Sequence, residues 1–162
     1  MLFMIYSEPE YNKAFNFILP GLTITFLSTF ISFIIALFLG LISGIGRISK
    51  NKFARTISRT YIEFIRGVPV LILIFTIAFV VVVRAAEFFN INNGNVPMLV
   101  RAIIALSVFY GAYIAEVFRA GIESVPVGQR EGGASLGLSE RQVMRHIVLP
   151  QAFRNMLPAL GN

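Results

Sequence analysis

Between Lys13 and Arg47, residues 14–46 form a run of 33 side chains without a charge. As an α-helix rising about 1.5 Å per residue, such a run exceeds a hydrocarbon core of roughly 30 Å, so this stretch is expected to cross a membrane. The whole chain agrees: 56% of its 162 residues are hydrophobic, 14% are charged and the mean hydropathy is +0.77. Those values lie outside the range of ordinary soluble domains and point to an all-α integral membrane protein. Pro20 and Gly21 are read as the place where the first span begins, and Gly40 with Gly44 as two small residues one turn apart on a helix-packing face. Thr23, Thr25, Ser28, Thr29 and Ser32 add hydroxyls to the same helix; they either line a polar path or bond back to the backbone, and the second account is the simpler.

Residues 1–16 hold Glu8, Glu10 and Lys13 without a basic leading region or a small-residue cleavage site, which argues against a removable signal peptide. From Arg47 to Arg59 the chain carries Arg47, Lys50, Lys52, Arg55 and Arg59 and no acid. By the positive-inside rule this loop is cytoplasmic, which puts the N-terminus and the 1–16 segment outside. A second span follows through Val83; in the stretch YIEFIRGVPVL, Glu63 and Arg66 lie three apart on a helix, where an ion pair is expected, and Gly67 and Pro69 break that helix. Ala85 to Pro97, rich in Asn, reads as the external loop, and Met98 to Phe118 as a third span containing Arg101 and Glu116. Arg101 is free to snorkel outward. Glu116 is read either as a rim ion pair with Arg119 or as a carboxylate of the pathway.

Between these spans and a last apolar segment lies a polar island, Gln129 to Pro150. Pro126 opens a first helix, because proline lacks only an N–H that would be unpaired there anyway. Gly137 closes it, glycine suiting the left-handed residue that ends a helix. Ser139 is a good N-cap for a second helix, with Gln142 completing a capping box and Leu138 and Val143 spaced as a hydrophobic staple. This second helix is amphipathic, with Val143, Met144, Ile147 and Val148 on one face, and is expected to stop at Leu149-Pro150 because proline disfavours helical geometry before it. Gly132 and Gly133 weaken the first helix, and with Ala134 they allow close approach, which suggests a docking face. Spacing alone favours a plain amphipathic surface helix pair between spans.

The composite Glu131, Gly132, Gly133, three residues, Gly137, nine residues, Ile147, one residue, Leu149 and Pro150 resembles the cytoplasmic-loop motif of the membrane subunits of ABC importers. That family usually has two alanines where Gly132 and Gly133 stand here. YIEFIRGVPVL and AYIAEVFRAGIESVPVGQ, residues 112–129, are similar to polar amino acid permeases, with Val68 where those usually have threonine. The resemblance implies a type I importer transmembrane domain over 17–162, with a cytoplasmic coupling loop at 124–150 that seats in a groove of a separate ATPase subunit. It implies coupling roles for Glu131, Gly132, Gly133, Gly137, Ile147, Leu149 and Pro150, and leaves Arg66, Glu116 and Arg119 as pathway groups or structural pairs. It further implies a prokaryotic inner or plasma membrane location, a second permease subunit, identical or homologous, and an extracellular or periplasmic solute-binding protein. ATP would be bound by the partner, with no cofactor on this chain. Three spans are complete and a fourth begins after Pro150, where such permeases continue through that helix and one more, so the resemblance implies a C-terminally truncated piece.

Other chemistries find little support. The chain has no Cys, no Asp and one His, His146, on the second helix of the island without a partner at metal-ligand spacing. Gly40 to Ser49 lacks the lysine and glycine spacing of a phosphate-binding loop and reads as a helix end. The net charge of +6 lies beside apolar spans, where topology accounts for it better than nucleic acid does. No intrinsic enzyme activity is expected. The alternative to a permease is a non-transporting membrane adaptor that borrows the loop to dock an ABC ATPase, distinguished by whether the reading frame continues past Asn162 into further apolar helices.

Overall fold

The computed structural model describes residues 9–161, and among them there are helices and turns and no strand. The first helix, α1 (Pro9–Ile48), runs 40 residues without interruption. Residues 1–8 of the segment assigned to the exterior lie outside the described residues, and from Pro9 the chain is already in the same helix as the span. Pro20 does not begin the helix; it sits inside α1. Proline there removes one backbone donor, a loss the remaining turns of a long helix tolerate. The hydroxyls of Thr23, Thr25 and Ser28 bond back to the carbonyls of Leu19, Gly21 and Thr25 at 3.1, 2.9 and 3.0 Å. Ser32 departs from this pattern. It is buried, its hydroxyl reaches the carbonyl of Ile103 at 3.5 Å, and its own carbonyl accepts from Ser107 at 3.3 Å.

The basic stretch after Arg47 is a loop only from Ser49 to Asn51. Asn51 caps α2 (Lys52–Gly67), its side-chain oxygen accepting from the amides of Phe53 and Ala54 at 2.9 and 3.4 Å. The expected loop is thus mostly helix, held by the inward face that carries Ile62 and Ile65 and by the Tyr61 hydroxyl, which donates to the carbonyl of Val108 at 2.6 Å. The break at Gly67 and Pro69 forms as the sequence predicts, with Val68 extended at φ −101°, ψ 137° because the following proline disfavours the helical region. Helix α3 (Val70–Phe88) follows, with a π-helical turn at Ile77–Val81, and the turn after it passes through Asn90, whose φ is +55°. Helix α4 (Met98–Glu123) extends five residues past the expected Phe118.

Helices α1, α3 and α4 are the three described helices long and apolar enough to cross a membrane. Small residues bring α1 and α4 together. A Cβ on Gly40 would lie 2.5 Å from Ile114 Cγ2, one on Gly44 would lie 3.0 Å from Phe118 Cβ, and one on Gly111 would lie 3.0 Å from Leu39 Cβ. Ala36 and Ala115 are fully buried in the same seam. The expected packing face is therefore present and works by close backbone approach. Gly40→Val should cost about 1–3 kcal/mol by overpacking. Gly21→Ala, with nothing within 4 Å of its Cβ, should be neutral or gain up to about 1 kcal/mol. Thermal unfolding in detergent measures both, and equal midpoints for the two variants would contradict the seam.

Candidate functional site

The polar island folds as a helical hairpin. Pro126 precedes α5 (Val127–Ser135), and the chain reverses through Leu136, Gly137 and Leu138. Gly137 has φ +80°, its amide donates to the carbonyl of Ala134 at 2.9 Å, and the amide of Leu138 donates to that of Gly133 at 3.2 Å. This pair of bonds is the Schellman closure that a left-handed residue at the helix end permits. Ser139 then caps α6 (residues 140–160) and forms the capping box with Gln142.

Helix α6 does not stop at Leu149-Pro150. It widens into a π-helical turn at Met144–Val148, where the amide of Leu149 donates to the carbonyl of Met144, and continues through Pro150 to Leu160. A turn with one extra residue just before the proline relieves the demand for the N–H that Pro150 lacks and the clash its ring would make. The second helix of the polar island and the apolar segment after Pro150 are thereby one continuous rod.

Ile122, Val125, Val143, Val148, Ala152 and Met156 form the buried core that fixes this hairpin to the end of α4. Gly133 belongs to its inner face: a Cβ there would come 2.6 Å from Ile147 Cδ1 and 2.9 Å from Val143 Cγ2. Of the docking face inferred from Gly132, Gly133 and Ala134, Gly133 turns inward and with the half-buried Ile147 holds the hairpin together, while Gly132, with open space around it, and Ala134 are exposed. Glu131, Gly137, Leu149 and Pro150 are also exposed. His146 is exposed on the π turn, and the described residues hold no group of three or more metal-ligating side chains. Lys50, just past α1, bonds the carboxylate of Glu140 and holds that carboxyl below its ordinary range.

Above the hairpin a charge cluster joins three helices around Glu116, whose side chain is 20% exposed. Arg47 Nη1 from α1 donates to Glu116 Oε2 at 2.8 Å, Arg119 donates to Oε1 from one turn along α4, and Arg66 Nη1 from α2 lies 3.7 Å from Oε1. Arg119 also bonds Glu123. The expected Glu116–Arg119 pair is present, but the Glu63–Arg66 pair is not: Glu63 accepts from Arg59 Nε at 2.8 Å, while Arg66 turns toward α4 and stands over the Tyr113 ring at 5.5 Å. A cavity of about 700 Å³ opens beside this cluster, lined among others by Arg66, Tyr113, Glu116, Ser124 and Asn155. Sequence reading missed Arg47 as a partner of Glu116, having assigned it to topology. The available signal was that a carboxylate inside a span needs compensation from another helix.

Residues 36–162 match the family of binding-protein-dependent transport system inner membrane components. The chain belongs to that family. Its curated relatives among inner membrane components include the glutamate transport system permease protein GluD of Corynebacterium glutamicum, 40% identical over 90% of this chain and 51% of its own length. They also include the probable amino-acid ABC transporter permease protein YckA of Bacillus subtilis, 37% identical over 93% of the chain and 63% of its own. The histidine/lysine/arginine/ornithine transport system permease protein HisQ of Escherichia coli is 33% identical over 90% of the chain and 65% of its own. The chain thus spans between half and two thirds of the length of these relatives. The crystal structure of an amino acid ABC transporter with histidines superposes with a TM-score of 0.81 at 34% identity, covering 94% of this chain and 68% of that one. As a family member the chain is an all-α membrane protein with three spans before the α5–α6 hairpin.

Proposed function

We propose that this chain is part of the permease subunit of an ATP-driven amino acid importer, lining the translocation pathway and coupling it to a separate ATPase through residues 124–150. The observation that carries the reading is the hairpin itself. Its exposed rim, Glu131, Gly132 and Gly137, is set on a buried base and joined without a break to the next span through Leu149 and Pro150. A partner pressing on that rim moves the rod rather than a loose loop, and such a displacement shifts the pathway between outward and inward openings. ATP is bound and hydrolysed by the partner, not by this chain.

In this reading the N-terminus lies outside, the basic end of α1 and α2 lies on the cytoplasmic side, and a solute-binding protein delivers the amino acid from outside to a pathway shared with a second permease subunit. The cavity beside Arg66 and Glu116 supports a polar solute crossing near those groups. The test is to tag the full-length protein in its native membrane, solubilise it gently and identify the co-purifying proteins by mass spectrometry. Recovery of an ATPase together with an extracellular amino-acid-binding protein is expected. Recovery of an ATPase alone, with no uptake by the reconstituted complex, would replace the importer with a docking adaptor, and recovery of neither would remove the coupling role.

A further inference from the structure

Where α1 ends beside the α5–α6 hairpin, the protein holds a second cavity of about 410 Å³, lined among others by Lys50, Arg130, Leu138, Glu140, Met144 and Val148. Its floor is apolar, with Val148 fully buried and Leu138 and Met144 half-buried. Its polar groups are two cations and one carboxylate. Lys50 is kept at the rim by its bond to Glu140. An ammonium has three N–H donors, so this pairing leaves two for another acceptor.

Arg130 is half-buried, and its Nη2 donates to the carbonyl of Ile122 at 2.9 Å. Its Nε is buried without an acceptor, and no carboxylate pairs with it among the described residues. A guanidinium drawn out of water with no counter-charge is unfavourable unless an anion meets it.

Depth identifies the anion. Lys50 stands two positions beyond the last residue of α1, and Ile122 lies in the last turn of α4. The uncharged run of α1 ends at Gly46, and α4 meets charge at Glu116, Arg119 and Glu123, so both cations sit within about two turns of where the apolar sequence of two spans gives way to charge, the level of lipid headgroups. We propose that this cavity binds the headgroup phosphate of an anionic phospholipid, with Lys50 and Arg130 as its ligands and the apolar floor beneath the start of its acyl chain. A lipid held there ties the end of α1 to the hairpin, so that the position of the hairpin depends on the charge of the surrounding leaflet. The inference requires that α1 and α4 span the bilayer, and does not require that the hairpin docks an ATPase.

The test uses the full-length protein with the subunits it purifies with, stripped of lipid in a neutral detergent and examined by native mass spectrometry. Phosphatidylglycerol should be retained about ten-fold or more over phosphatidylcholine, as expected for two cations at a headgroup, with the preference falling severalfold in Lys50→Gln and in Arg130→Gln. Lys50→Gln removes an exposed ammonium and keeps the protein folded, so it decides the matter alone if Arg130→Gln does not fold. Equal retention of the two lipids, or a preference unchanged in the folded variants, overturns the proposal. Inorganic phosphate displacing phosphatidylglycerol at equal concentration would assign the site to a free anion and overturn the lipid. Retention of phosphatidylglycerol only after the partner subunits are dissociated would give the cations to an acidic side chain of a partner and overturn it equally.

Discussion

Gly137→Val is expected to abolish coupled uptake, and Gly137→Asn to leave it near normal. The two substitutions meet the same surroundings, since nothing lies within 4 Å of a Cβ at this position. They differ in backbone preference. At φ +80° an ordinary L-residue costs about 1–2 kcal/mol, a β-branched one more, while asparagine visits that region readily. Valine would open the Schellman closure, lose the bonds from Gly137 to Ala134 and from Leu138 to Gly133, and re-aim α5 against α6. Gly137→Asp then isolates docking from geometry, because aspartate matches asparagine in shape and adds only a charge at the proposed contact with the ATPase. Uptake and ATP hydrolysis measured together in the reconstituted importer read all three. Loss of uptake with continued hydrolysis in the aspartate variant is the expected pattern; normal uptake in both the valine and aspartate variants would sink the coupling role of this turn.

Glu116→Gln is expected to lower stability by on the order of 2–3 kcal/mol, because it leaves Arg47, Arg66 and Arg119 facing one another without the carboxylate that holds them. For a chain of this size such a loss moves the thermal midpoint by several degrees, at about 2–4 °C per kcal/mol. Adding Arg66→Gln should restore part of it, since the double variant removes a guanidinium left with no carboxylate, whereas Arg47 keeps Glu63 at 3.9 Å. Arg119 would suffer least, having Glu123 as a second partner. A midpoint unchanged in Glu116→Gln would show that the cluster contributes nothing to holding α1, α2 and α4 together. The variant also tests the pathway reading, as a loss of uptake exceeding the loss of folded protein would place the carboxylate on the solute's route.

Much of the hairpin was legible in the residues because its signals act over one or two turns. Pro126, the Gly137 reversal and the Ser139–Gln142 box each depend on neighbours a few positions away, and each forms as the sequence predicts. The rule that failed was also local: proline disfavours helix before it, yet α6 passes through Pro150 because a π turn absorbs the extra residue. That turn is stabilised by Val143 and Val148 packing with Ile122 and Val125, contacts that no window around Pro150 reveals.

By itself the sequence determined the spans, the break at Gly67 and Pro69, and the reversal at Gly137, since hydropathy and backbone preference are properties of the residues in place. Only the tertiary structure decided which arginines surround Glu116, that Gly133 faces inward rather than toward a partner, and that α6 is one rod. The first of these depends on how closely α1 approaches α4 at Gly40, Gly44 and Gly111. That approach brings Arg47 within bonding distance of a carboxylate 69 residues away along the chain. A long, flexible side chain takes whichever partner the packing of the helices places beside it.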